Sequence, residues 1–426
     1  MEVISLPATY HSNRRGKARR RAVSRSTRKE ESNPQRKNRK KQAYRQQTRR
    51  QAPRIPMTQG MAQERRRKVD APLLLITIML LIVGLISLLS ASYPKGYYST
   101  NIGPFYYFIR QLGMAIVGLV LMWIVSSIHY ENYRKYAIWL YLISAVLLVL
   151  VLTPLGTTLN KSQRWLFGFQ PSEIAKLAII VVFAALASNQ PESVFRLRTL
   201  MFYAALVAVY VGLLALEPHM SAAMIIVVIA FVILFVAGMH VGFLVPVGIA
   251  GVCVSIASYF LLGHVQARLR VFLDPFSDAR GKGWQAVQSL IAIGSGGTFG
   301  LGLGQSRQKF LYLPEPMNDF IFSVICEELG FIGASLILIL FAYLVYRGFS
   351  IARRAADRFG CLLATGITMQ FAFQILLNLA VVSGLFPVTG ASLPLFSYGG
   401  TALVMQLVEI GILLNISRHI PPSKQD

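Results

Sequence analysis

From residue 72 to residue 417 the chain alternates polar gaps with ten apolar runs: 72–92, 108–128, 134–154, 172–189, 199–216, 220–238, 241–263, 320–346, 361–385 and 397–417. Each is long enough to cross a bilayer as a helix, which takes about 18 residues or more. In hydrocarbon only a helix or a closed barrel can satisfy its own backbone polar groups. The expectation is an all-α polytopic membrane protein of about ten transmembrane helices. One large extracytoplasmic loop, 264–319, falls between spans 7 and 8. Cys253, Cys326 and Cys361 all lie in apolar runs and read as small buried hydrophobes, not as a disulfide or metal set.

Charge orients these runs. Residues 1–70 hold 22 Lys/Arg against five Asp/Glu, most of the chain's net charge of +25. This stretch has no apolar periodicity and cannot bury enough surface to fold alone, so it reads as a disordered basic cytoplasmic arm. No apolar core of a signal peptide follows within its first 30 residues. It has no aromatic interleaving, so anionic membrane lipid is the expected partner and no nucleic acid is. By the positive-inside rule the arm places the N-terminus in the cytoplasm. The even-numbered gaps then also lie inside, with Arg134 and Lys135, Arg196 and Arg198, and Arg347, Arg353, Arg354 and Arg358. The domains are the arm, a transmembrane domain at 71–419 and a short cytoplasmic tail at 420–426. The outer loop holds six Lys/Arg, against the rule, which an anionic substrate would explain.

The unusual residues collect on the outer side. Asp319, Glu327 and Glu328 fall at or just inside the point where the eighth span begins. A charge in mid-membrane costs roughly 2.5 to 3.5 kcal/mol or more, so such groups face a polar cavity, pair with a cation or do chemistry. Asp319 could instead simply cap the helix. Before the fourth span, Pro171-Ser172-Glu173 looks like a helix start, with Lys176 on the same face as Glu173 and able to pair with it. Arg164 beside Trp165 suits an interfacial anchor or a phosphate clamp. Glu217 sits in a break between two runs, with Pro218 expected as the first residue of the next helix. The neighbouring His219 is a weak metal-ligand candidate. Arg268 and Arg270 open the long loop, and its run Gly294–Ser306 could cradle phosphate or pack closely. That run lacks the Gly-Lys-Ser/Thr ending of a Walker A loop. Residues 285–293 suggest a short amphipathic helix on the outer leaflet. Gln370, Gln374 and Asn378 form one polar stripe, which either glues helices together or lines a cavity.

In combination these stretches resemble the SEDS family, the FtsW/RodA/SpoVE proteins of bacterial cell-wall synthesis. The resemblance rests on Arg164-Trp165 with Gln170–Lys176, Glu217-Pro218, Asp274-Pro275, Gly300–Ser306, Leu313-Pro-Glu315, Asp319–Phe322 with Glu327–Gly330, Pro387–Gly390 with Leu393-Pro394, and Ser397–Gly400. These stand in the family's order over residues 72–419. Asn318, His219, Ser221 and Ala391-Ser392 depart from its pattern. Val381-Val382 and Gln305–Lys309 look like the FtsW/SpoVE branch. The resemblance implies a peptidoglycan glycosyltransferase, in cell division, at the outer leaflet of the bacterial cytoplasmic membrane. It would polymerise lipid II from an undecaprenyl-pyrophosphate-linked donor with inversion. It implies that Asp319 is catalytic, and that Arg164, Trp165, Glu173, Lys176, Glu217, Arg270, Gln374, Asn378 and Ser397 surround the substrate. Arg164, Lys176, Arg270 or a divalent cation (Mg or Mn) would balance the pyrophosphate. The implied partners are a class B penicillin-binding protein transpeptidase and other divisome proteins. A lipid II flippase and a non-catalytic divisome scaffold are the alternatives.

Overall fold

The computed structural model describes residues 69–421, apart from 100–102, 160–161, 190–196, most of 240–270, and 282. The predicted span 241–263, the arm up to residue 68, Arg268, Arg270 and the tail beyond residue 421 lie outside the described residues.

Nine of the ten apolar runs are helices: α1 (Ala71–Ser99), α2 (Tyr106–Ser127), α3 (Glu131–Val151), α4 (Pro171–Asn189), α5 (Leu197–Leu216), α6 (Met220–Val236), α8 (Ile321–Arg354), α9 (Arg358–Val382) and α10 (Gly400–Arg418). Eight of these are long and apolar enough to cross a membrane. The exception is α6, with 17 residues. At 1.5 Å per residue it is about 25 Å long, short of the roughly 30 Å hydrocarbon core. The run 220–238 is thus a shorter apolar helix than expected. In the other direction, α8 has 34 residues. It carries Arg347, Arg353 and Arg354 past the predicted end at 346.

Helix α4 is the centre, buried over almost its whole length and packed against α3, α6 and α9. An apolar helix buried on all sides needs no amphipathic stripe, which is why its pattern is uniform. Helices α2, α3 and α5 turn Ile116, Trp123, Trp139, Ile143, Met201 and Phe202 outward, as lipid-facing helices do. Between α3 and α4 an antiparallel hairpin, β1 (Gly156–Leu159) and β2 (Ser162–Leu166), breaks the all-helical expectation. Gln163 holds it down by donating to the carbonyls of Thr153 and Gly156 at 2.7 and 3.1 Å.

The short helix expected at 285–293 forms as α7 (Trp284–Ser295). It is not laid loosely on a leaflet. Val287, Gln288, Ser289 and Ala292 are buried against α8 and α9. Ser289 Oγ lies 2.7 Å from both Ser323 Oγ and the carbonyl of Val382.

Helix α8 is broken at Gly330, where φ is 65° and ψ is −169°. The carbonyls of Glu327 and Glu328 would ordinarily accept from Phe331 and Ile332. Here they accept from Leu301 N and Gly302 N at 2.9 and 3.0 Å. Phe331 N and Ile332 N donate instead to Gly297 and Thr298 at 2.9 and 3.2 Å. The loop segment 297–302 is spliced into the gap in the helix. A Cβ on Gly330 would run into Gly300 N, so this splice requires glycine.

Candidate active site

The hairpin, the α5–α6 turn, the end of the long loop and the segment 388–403 converge on one polar cavity of about 400 Å³. These are four of the gaps expected on one face of the membrane. Seven of the ten predicted site residues line it: Arg164, Trp165, Glu173, Lys176, Asp319, Gln374 and Ser397.

Asp319 is half-buried, two residues before α8. It does not cap that helix. The N-cap is Phe320, and no side chain satisfies the first turn. Burial, with the nearby Glu315 carboxylate, pushes the Asp319 acid up to about 6, against the opposing pull of Arg164. Gly390, at φ +79°, faces both groups: a Cβ there would lie 3.3 Å from Asp319 Oδ2 and 3.9 Å from Arg164 Nη1. Glycine keeps the space between carboxylate and guanidinium open. Glu315 also lines the cavity, accepts from Asn318 Nδ2 at 2.6 Å and pairs with Lys95 of α1 at 3.4 Å.

Arg164 is anchored by backbone, through Nε to the carbonyl of Glu217 at 3.4 Å and Nη2 to that of Pro218. The Glu217 side chain stands behind this wall, 1% exposed and outside the lining. Neither of its carboxylate oxygens has a hydrogen-bond partner among the described residues. Burial raises its acid to about 8 despite Arg164. Pro218 is not the first residue of α6 as expected, because His219 is the N-cap. His219 lines the cavity and is held well below its ordinary pKa by burial, Arg164 and Lys176.

Glu173 opens α4 and pairs with Lys176 at 2.9 Å, as the spacing predicts. Lys176 Nζ also donates to Gln374 Oε1 at 3.5 Å. Deeper in the bundle, Gln370 Nε2 reaches both oxygens of Glu409 at 2.8 Å. Glu409 is fully buried in α10 and was not anticipated, although a single carboxylate inside the run 397–417 is itself a signal. Glu315, named above only within the Leu313-Pro-Glu315 motif, and Gln406 line the cavity as well, and Lys95 stands beside it; none of the three is among the expected site residues.

The polar stripe on α9 both glues and lines. Gln374 lines the cavity and donates to the carbonyl and hydroxyl of Ser392 at 3.0 and 3.1 Å. Asn378 is fully buried outside the lining and donates to the carbonyls of Asp319 and Ala391, both at 2.7 Å. Ser397 donates to the carbonyl of Asn318 and accepts from Leu393 N, both at 2.7 Å.

Glu327 and Glu328 take no part in the cavity. Glu327 accepts from Ser306 Oγ at 2.5 Å and Arg307 N at 2.9 Å. Glu328 accepts from Lys309 Nζ at 2.8 Å and Ser90 Oγ at 2.6 Å. Together they clamp the glycine run onto α8. Of the two readings of that run, close packing is the one this arrangement supports.

A family model described as cell cycle protein, FtsW/RodA/SpoVE, matches residues 71–421. Stage V sporulation protein E of Bacillus subtilis is 40% identical over 357 residues, covering 82% of this chain and 97% of that protein. A probable peptidoglycan glycosyltransferase FtsW of Trichlorobacter lovleyi is 39% identical over 82% of this chain and 93% of its own length. Among solved structures, a chain from work on how a peptidoglycan synthase complex coordinates polymerization and crosslinking is 30% identical. It matches with a TM-score of 0.69, over 82% of this chain and 98% of that one. The rod shape determining protein RodA of Thermus thermophilus matches with a TM-score of 0.60 at 28% identity, over 83% and 98%.

Proposed function

The chain belongs to the FtsW/RodA/SpoVE family, and from that premise we propose that it is a peptidoglycan glycosyltransferase with Asp319 as its base. The observation that carries this reading is the open space between Asp319 and Arg164 across Gly390, inside a cavity built from gaps expected on one side of the membrane. The substrates are lipid II as acceptor and a growing glycan on undecaprenyl pyrophosphate as donor. The acceptor sugar's 4-hydroxyl attacks the donor's anomeric carbon while the bond to the pyrophosphate oxygen breaks. Asp319 takes the hydroxyl proton, and the single displacement inverts the anomeric centre. An acid near 6 is mostly ionised at neutral pH yet still basic enough to accept a proton, which suits general-base work. Arg164 and Lys176 face the charge that develops on the leaving pyrophosphate.

Among the described residues no three His, Cys, Asp or Glu form a metal shell. A Mg or Mn ion, as part of this proposal, would be held by the Glu315 carboxylate at the cavity wall and would supply further positive charge for the leaving group. The cavity opens to the extracytoplasmic side, and both termini are cytoplasmic. The likeness to a chain of a peptidoglycan synthase complex that polymerises and crosslinks supports a class B penicillin-binding protein transpeptidase as partner. Resemblance to the FtsW/SpoVE branch supports a place in division.

The test is polymerisation of purified lipid II by the reconstituted protein with its transpeptidase. Wild type makes glycan strands, and Asp319→Asn is slowed by about 10² to 10⁴, the usual worth of a positioned base. Strands from both proteins at one rate would remove Asp319 from the role. No strands from either, with lipid II equilibrating across the bilayer, would make the protein a flippase.

A further inference from the structure

Three consecutive backbone carbonyls carry the candidate base, and each is held from a different place. Met317 accepts from Tyr398 N at 2.8 Å, Asn318 from Ser397 Oγ at 2.7 Å, and Asp319 from Asn378 Nδ2 at 2.7 Å. The last donor is unlike the other two. Tyr398 and Ser397 belong to the same loop segment, whereas Asn378 stands on α9, and its second amide hydrogen goes to the carbonyl of Ala391 at 2.7 Å. One planar amide therefore spans both walls of the cleft. On one side it grips the residue that bears the carboxylate. On the other it grips the residue next to Gly390, over which that carboxylate faces Arg164.

We propose that Asn378 is a positioning residue for glycosyl transfer, setting the separation between the Asp319 segment and the 390–391 turn. The proposal rests on the reading of Asp319 as base. Two donors in fixed geometry on one rigid group are what the task needs. A hydroxyl brings one donor, a carboxylate brings none when ionised, and glutamine places its amide a methylene too far. Asn378 is fully buried and both its donors are committed, so its amide hydrogens do not reach substrate. Its contribution belongs in the rate of the bound complex rather than in binding. Misplacing a catalytic group by about 1 Å costs on the order of 10² in rate.

The experiment measures kcat and KM for lipid II polymerisation by the full-length protein with its transpeptidase, across pH. It compares wild type with Asp319→Asn, Asn378→Ala, Asn378→Asp and Ser289→Ala. Asn378→Ala is expected to lower kcat by about 10- to 100-fold, with KM within about twofold of wild type. Asn378→Asp keeps the shape and regains one donor when protonated, so its rate relative to wild type rises as pH falls. Packing loss alone does not produce that dependence, and this variant keeps the test alive if the alanine variant does not fold. Ser289→Ala removes an equally buried hydroxyl that bridges α7, α8 and α9 away from the cleft, and leaves kcat within about twofold. A raised KM with unchanged kcat in Asn378→Ala would make it a substrate ligand and overturn the proposal. So would wild-type values, or an equal kcat loss in Ser289→Ala. If wild type polymerises and Asp319→Asn does not, those outcomes break only this inference. If Asp319→Asn polymerises normally, the underlying reading has failed instead.

Discussion

Asp357 and Asp319 stand just before two successive helices, at opposite ends of the bundle, and are used in opposite ways. Asp357 is the N-cap of α9, accepting from Phe359 N at 3.1 Å and Gly360 N at 3.2 Å, and it takes the Tyr130 hydroxyl at 2.5 Å as well. Around it that end of the bundle is closed. Asn415 Oδ1 accepts from Tyr130 N and its Nδ2 donates to Ser126, both at 2.8 Å, Arg347 pairs with Asp70, and Arg358 donates to the carbonyl of Ala237. Asp319 leaves its helix uncapped and turns its carboxylate into a cavity. Moving one residue further from the helix start separates an aspartate that stabilises from one that is free to react. The Asp357 end commits its polar groups to one another, while the Asp319 end keeps Asp319 and Arg164 facing the cavity across Gly390.

That contrast can be broken most severely at Lys176. It is 2% exposed, and its loss strands Glu173 as a buried carboxylate without its cation. Lys176→Met is expected to lower stability by about 3 to 5 kcal/mol, read as a fall in melting temperature in detergent. A melting point equal to wild type would mean that water already reaches the pair. The next effect sharpens the two aspartates against each other. Asp357→Ala loses a cap and should cost about 1 to 2 kcal/mol, with glycan synthesis per folded molecule unchanged. Asp319→Asn should leave the melting temperature alone while synthesis collapses. Equal destabilisation by the two would show that Asp319 is structural after all. The smallest effect is electrostatic. Glu315 helps hold the Asp319 acid up at about 6, so the rate of wild type should rise with pH through about 6 as the base ionises. Glu315→Gln removes the repelling charge, stabilises ionised Asp319 and moves that limb of the pH–rate profile to lower pH. An unmoved limb would separate the two carboxylates.

Most spans were legible because apolar length is a local property, and eight of the ten runs needed nothing beyond their own composition. The ends were less so. The run 220–238 looked as long as its neighbours, but α6 stops at Val236, where Gly238 turns at φ +102°. Glu173 and Lys176 could be paired from spacing, being one turn apart. Arg164, Trp165, Asp319 and Gln374 stood out as polar or interfacial residues at the borders of apolar runs. What could not be read was which remote gaps meet. Asn378 and Asp319 are 59 residues apart, and Lys309 meets Ser90 across 219. No local pattern encodes such pairings, and for that reason the roles of Asn378, Ser397 and the glycine run came only with the fold. Glu217 illustrates the same limit: its turn holds Arg164, but by backbone carbonyls rather than by the carboxylate.

The break in α8 has a consequence for how the chain is made. A membrane helix ordinarily completes its hydrogen bonds within its own length, so it can enter lipid as a finished unit. This one cannot. The carbonyls of Glu327 and Glu328 and the amides of Phe331 and Ile332 are satisfied by residues 297–302, which leave the ribosome earlier and belong to the preceding loop. The break in this span is therefore assembled rather than inserted, and it closes once that loop has folded back onto the helix.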